Sequence, residues 1–305
     1  MVRALIVEAD DLGLCRSLNA GIRAAAARGV LTSTCIRVNG AAFEEAVAEV
    51  VPDFPALGLG VHLNIVEGAT TRPTVPHGSP LVDAGGGYRV SFPALLLRQR
   101  DHALLAEIEA DYRHQIETAL ARLPRVDHLN SHQHSHAVPA LFEIVCRLAL
   151  EYDIPFVRLP RERFVVAGSL PSHFGGWYAA NLMKVAILNG RAPANAMCAR
   201  RLAVRTNDWF VGVAYTGRMN SRRILGGLRA LQRDAGLVEV LAHPSLPVGD
   251  PSERFLDAAV RAYVMHPARA TELATLVDPA LRHALTADGW TLTTYGEMAA
   301  LPAGR

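Results

Sequence analysis

Four groups of residues in this chain carry side chains suited to proton transfer or cation binding. Asp10 and Asp11 stand together at the end of an apolar run. His62 sits inside GLGVHLNI, the run DHLNSHQHSH occupies 127–136, and His243-Pro244 follows VEVLA. In an extended backbone, His132, His134 and His136 would share one face, and imidazoles on one face invite a divalent metal. The ordinary reading of that run is a solvated polar loop. Two adjacent carboxylates on opposite strand faces can divide labour, one binding a cation and the other taking a proton from water. The plainer alternative is that an Asp at this place caps the next helix. His62 alone would be a satisfied core histidine, and its interest lies in its company. A histidine at a fourth strand end suits protonation of a leaving group, although His243 before Pro244 also fits a structural role.

The elements that must position these groups alternate in type. Short apolar runs at 4–9, 32–38, 57–66, 126–131, 156–159, 208–215, 237–242 and 290–294 read as strands. Helical patterns lie between them at 18–28 (with Gly29 as a cap), 41–51, 102–123, 138–152, 178–188 and 220–234, and 251–300 is mostly helical. Strands alternating with helices predict parallel βαβ units, and no glycine-rich dinucleotide fingerprint appears. The expected fold is therefore α/β: a distorted (β/α) barrel, TIM-barrel-like, with parallel strands and outer helices. All four polar groups then fall at strand C-termini, where barrels gather their active sites. One domain over 1–305 is expected, with insertions near 69–102 and 164–200. Arg158 follows a predicted strand near the site. The other arginines of 158–163 and 200–205 read as solvated faces or carboxylate partners.

Composition narrows the function classes. The 305 residues carry 31 Lys plus Arg against 29 Asp plus Glu, a net charge of +2. That balance argues against a nucleic-acid arm or an acidic disordered tail. Lys184 is the only lysine, set against 12 histidines. The four cysteines are scattered with no CxxC pair, which fits a reducing compartment and small buried apolar roles. The opening apolar stretch is too short for a signal peptide, so a cytoplasmic location is expected. Segment 164–183 has no charged residue but is broken by Gly168, Pro171, Gly175 and Gly176, so no transmembrane span is expected. Its Phe164, Phe174, Trp177 and Tyr178, with Leu182, could form an apolar flap for an amphiphilic acceptor or a peripheral membrane contact. The alternative is ordinary core or a dimer interface.

The stretches LIVEADDLGLCRSLNAGI, GVLTSTCIRVNG, GLGVHLNI, DHLNSHQHSH and AHPS, in that order, resemble the YdjC-like carbohydrate deacetylase family. VRLPRE, TNDWFVGVAYTGRM and LAHPS look most like its branch associated with hopanoid biosynthesis. The resemblance implies a distorted barrel, one divalent metal ion (zinc or magnesium), hydrolysis of an N-acetyl group from an amino sugar, and a homodimer. Carried over position by position, it places the metal ligands on Asp11, His62 and His132. It places the general base on Asp10 and the acid on His243. Asn130, His134, His136 and Arg158 are expected around the metal ligands or the substrate. Three departures stand out: Leu12 replaces the family's phenylalanine, Asn130 replaces its aspartate, bringing no charge to a ligating imidazole, and Glu8 stands where the family often has a polar amide. The rival readings are another metal hydrolase such as a phosphoesterase, and a non-enzymatic sugar-binding protein that kept the motif.

Overall fold

The computed structural model describes residues 3–167, 176–234 and 236–302. Phe174, one of the flap residues named above, lies outside them. The chain is built on β1 (Ala4–Leu12), whose nine residues are all buried. Its opening residues 4–7 are apolar on both faces, as when a strand is covered by helices on one side and barrel interior on the other. Parallel partners follow on each side: β2 (Ser33–Ile36), β3 (Gly58–Leu63), β4 (His128–Ser131) and β5 (Phe156–Val157) on one edge. On the other edge come β7 (Leu237–Ala242) and β6 (Trp209–Val211). The order is β5-β4-β3-β2-β1-β7-β6, and β8 (Thr291–Leu292) pairs with the start of β1. Single parallel bridges, Phe156 with Arg205 and Glu162 with Phe210, join the two outer edges. The sheet thus curls into the expected distorted parallel barrel.

Strand periodicity sorts β1 into two faces. Leu5, Val7 and Ala9 pack outward among Ile22, Ala25 and the other helix-facing residues of the main core. Ala4 and Ile6 belong to a separate cluster with Phe156, Leu237 and Tyr295, which plugs one end of the barrel. Glu8 and Asp10 continue that inward row. Polar side chains therefore climb the barrel interior above the apolar plug.

The helices fall close to their predicted places: α1 (Arg16–Arg28), capped by Gly29, α4 (His102–Leu120), α5 (Pro139–Glu151) and α7 (Ser221–Ala230). Three differences appear. Residues 41–51 hold only a short α2 (Phe43–Glu45) followed by a wider π-type turn at Ala46–Val50. The 69–102 loop region carries α3 (Phe92–Leu97), with Ser91 accepting from the Ala94 amide as its N-cap. The helix expected at 178–188 is α6, Gly176–Arg201, and continues through Pro193. The C-terminal region contains α8 (Ala258–Val264), α9 (Pro267–Val277), α10 (Pro279–Ala287) and α11 (Tyr295–Ala300). No helix among the described residues is long and apolar enough to cross a membrane.

Candidate active site

The end of β1 departs from regular alternation, and this shapes the site. Its register to β2 shifts between Ala9 and Leu12, and Asp11 takes a left-handed conformation at φ 69°. Strict alternation would put the two carboxylates on opposite faces. The irregularity instead brings both beside His62, and Asp11 caps no helix, since α1 has Cys15 at its N-cap. Asp11 Oδ1, His62 Nε2 and His132 Nδ1 form a triangle with each side 3.4 Å. Asp11 is fully buried, and its Oδ2 has no hydrogen-bond partner among the described residues. His62 Nδ1 donates to Asn130 Oδ1 at 2.7 Å, which leaves the Nε2 lone pair facing the triangle. Burial keeps the His62 imidazole neutral by pushing its pKa down, although Asp10 and Asp11 pull the other way. Two imidazoles, a carboxylate and an orphaned buried oxygen make a donor set that fits a divalent cation.

Asp10 sits beside this triangle in a different setting. Arg158 donates to both its oxygens, at 2.8 and 2.7 Å, and both residues are buried. The Cys35 thiol and the Asn130 amide reach Asp10 Oδ1 at 3.2 and 3.4 Å. Burial would raise the Asp10 pKa, but the Arg158 guanidinium and His62 outweigh it and hold the carboxyl well below the usual range. Burial alone would likewise raise Asp11, but His132, His62 and Arg37 hold it low.

His243 leaves the end of β7 and faces the same cavity. The cavity measures about 300 Å³ and is also lined by Asp10, His62, Glu67, His132 and Lys184. The His243 amide donates to Glu272 Oε2 at 2.6 Å, its ring meets Tyr263 edge-on, and its Nδ1 is unpartnered among the described residues. Burial, aided by Arg269, pushes its pKa down to about 3.

The HxHxH run is not extended. His132–Ala137 is a 3-10 turn in which Gln133 and His134 take positive φ values of 55° and 57°. The three imidazoles therefore separate. His132 enters the triangle. His134 lines the cavity with its ring edge toward Phe210. His136 is buried behind them, bonded to Ser131 Oγ at 2.6 Å and to the Arg158 carbonyl at 2.9 Å. His136 thus holds the backbone of the residue that clamps Asp10. The apolar flap is also not a single face: Tyr178 is buried against Tyr215, Leu182 is half-buried and Phe164 is exposed.

The sequence profile of the YdjC-like protein family matches residues 4–287. This chain belongs to the YdjC-like family. Carbohydrate deacetylases of Mus musculus and Homo sapiens are 30% and 31% identical to it. Each alignment covers 96% of this chain, with 94% of the mouse and 90% of the human protein. A chitooligosaccharide deacetylase of Citrobacter koseri is 28% identical over 97% of this chain and 99% of its own. A carbohydrate deacetylase of Brevibacillus brevis is 39% identical, but there the match spans 51% of this chain and 59% of that protein. Among solved structures, an Enterococcus faecalis protein provisionally described as a cellobiose-phosphate cleavage protein superposes with a TM-score of 0.72. That match, at 22% identity, covers 98% of this chain and 99% of the other, and shows a shared fold.

Several site residues of this YdjC-like chain escaped the sequence reading. Arg37 is fully buried, 2.7 Å from Glu67 Oε2 and 3.5 Å from Asp11 Oδ1. Glu67 in turn lies 3.4 Å from His132 Nε2. Glu8, the departure from the family's amide, bonds His128, which also meets Asp127, so His128 lies inside the barrel. Cys35 was read as ordinary core and instead touches both Asp10 and His62. Glu239 lies 2.5 Å from Arg158 Nη2, and a lone charge within an apolar strand was the available signal for it. Arg37 could have been found by the same rule.

Proposed function

We propose that this chain is a divalent-metal-dependent carbohydrate deacetylase that hydrolyses the acetamide of an N-acetylated amino sugar. The observation that carries this reading is the Asp11–His62–His132 triangle next to an arginine-clamped Asp10 in one cavity. Asp11, His62 and His132 would hold the ion. When bound, such an ion polarises the amide carbonyl and acidifies water. Two imidazole nitrogens with one carboxylate are the ligand types zinc takes in hydrolytic sites, whereas magnesium takes oxygen ligands. The triangle therefore supports zinc over magnesium.

Asp10 is the general base. Its carboxylate is ionised at neutral pH and oriented by Arg158, so it can accept a proton from the attacking water. His243 is neutral at rest. It serves the departing amine as an acid only after gaining a proton during the cycle, and the nearby Asp10 and Asp11 charges favour that protonated form. Asn130 fixes the His62 tautomer without adding charge.

The substrate follows from the cavity wall. Leu14, Leu241, Ala259, Val260 and Tyr263 face the polar end across the same space. They support an acceptor with an apolar portion, in keeping with the resemblance to the hopanoid-associated branch. Mass analysis of a panel of N-acetylated sugars and glycolipids, with and without chelator, tests the reading. Acetyl loss that chelator abolishes is the expected result. Phosphate release from phosphoesters without acetyl loss would make the chain a phosphoesterase instead, and binding without turnover would make it a sugar-binding protein.

A further inference from the structure

The guanidinium that clamps Asp10 is shared. Arg158 Nη2 lies 2.7 Å from Asp10 Oδ1 and 2.5 Å from Glu239 Oε1. The other Glu239 oxygen, Oε2, accepts a hydrogen bond from the Tyr295 hydroxyl at 2.5 Å. Arg158, Glu239 and Tyr295 are all fully buried. Glu239 stands on β7 opposite Ile6 of β1 and Phe210 of β6, two residues before the cavity-lining Leu241. Tyr295 begins α11, so the C-terminal helix is tied to the base through three side chains. We propose that Glu239, anchored by Tyr295, is a positioning residue that sets how much of the Arg158 charge Asp10 receives. The proposal rests on Asp10 being the proton acceptor of the deacetylation.

One guanidinium between two carboxylates divides its charge according to which of them is ionised. With Glu239 neutral, Asp10 receives all of it and is a weaker base. With Glu239 ionised, the charge is shared and Asp10 becomes more basic. The charged groups facing Glu239 are Arg158, Glu8 and Asp10 of β1, and the Tyr295 phenol; the partner from β6 is the apolar Phe210. Beyond Glu8 lies His128, held by Glu8 and Asp127. Burial pushes the Glu239 pKa up to about 7; Glu8 and Asp10 add to the rise, and Arg158 and Tyr295 oppose it. Glu239 therefore titrates above the range of an exposed carboxylate, so its charge can change while Asp10 stays ionised.

The test is the pH profile of kcat for the metal-loaded protein on an N-acetylated amino sugar, in wild type, Glu239→Gln and Tyr295→Phe. Wild-type kcat should rise through neutral pH on an ionisation that Glu239→Gln lacks. Above that limb the variant should be slower by about tenfold, a fraction of what a general base supplies, with KM and metal content kept. Tyr295→Phe removes the hydrogen bond that favours the ionised carboxylate, so its limb should move to higher pH. A Glu239→Gln profile of wild-type shape, or a loss equal at every pH with a lower melting point, would overturn the proposal and leave the deacetylase reading intact. A wild type that removes no acetyl group would overturn both.

Discussion

At the scale of single residues, the account turns on what each buried group has as a neighbour. His62 is useful because Asn130 fixes its Nδ1 proton. Asn130→Ala should therefore weaken metal binding by about 10–100-fold, checked by competition against a calibrated chelator. His128 is a different case. Burial disfavours its charge, but Glu8 and Asp127 outweigh that and raise its pKa to about 10. A raised histidine contributes stability that is complete below its unfolded pKa, near 6.5, and is lost as pH rises through about 10. The wild-type melting temperature should fall between those limits, and His128→Gln should flatten that fall.

At the scale of elements, legibility depended on whether residue type or backbone bend decided the geometry. β7 was read as 237–242 from its unbroken apolar run, and it is Leu237–Ala242. The polar tips of β1, β3, β4 and β7 were legible because a charged or imidazole side chain closing a buried strand is rare without a task. The HxHxH geometry was not. Gln133 and His134 take positive φ, and neither residue type announces it as glycine would. The sharing of Arg158 was hidden because its partners lie on β1 and β7, distant in sequence. Gly21 shows the reverse, a glycine whose reason appears only in the fold. A Cβ there would meet the Pro244 carbonyl oxygen at 2.4 Å, where α1 packs under the loop carrying His243. Gly21→Ala should destabilise the protein by about 1–3 kcal/mol in urea unfolding and lower turnover while leaving metal content unchanged.

At the scale of the whole molecule, a parallel barrel closed by single bridges carries a polar column from an apolar plug to the Asp11–His62–His132 triangle. A ligand that binds only the folded state stabilises it by about 2.7 kcal/mol at a hundred times its Kd. Chelation should thus lower the melting temperature of the wild type by several degrees and leave Asp11→Ala unmoved. The central claim is that Asp11, His62 and His132 together hold the ion on which deacetylation depends. Its most direct test is to strip the protein with chelator and titrate zinc back while following acetate release from an N-acetylated amino sugar. The account predicts no release from the stripped protein, recovery that saturates at one equivalent per chain, and no recovery for Asp11→Ala or His132→Ala. Full activity in the stripped protein, or an unchanged titration in either variant, would contradict it.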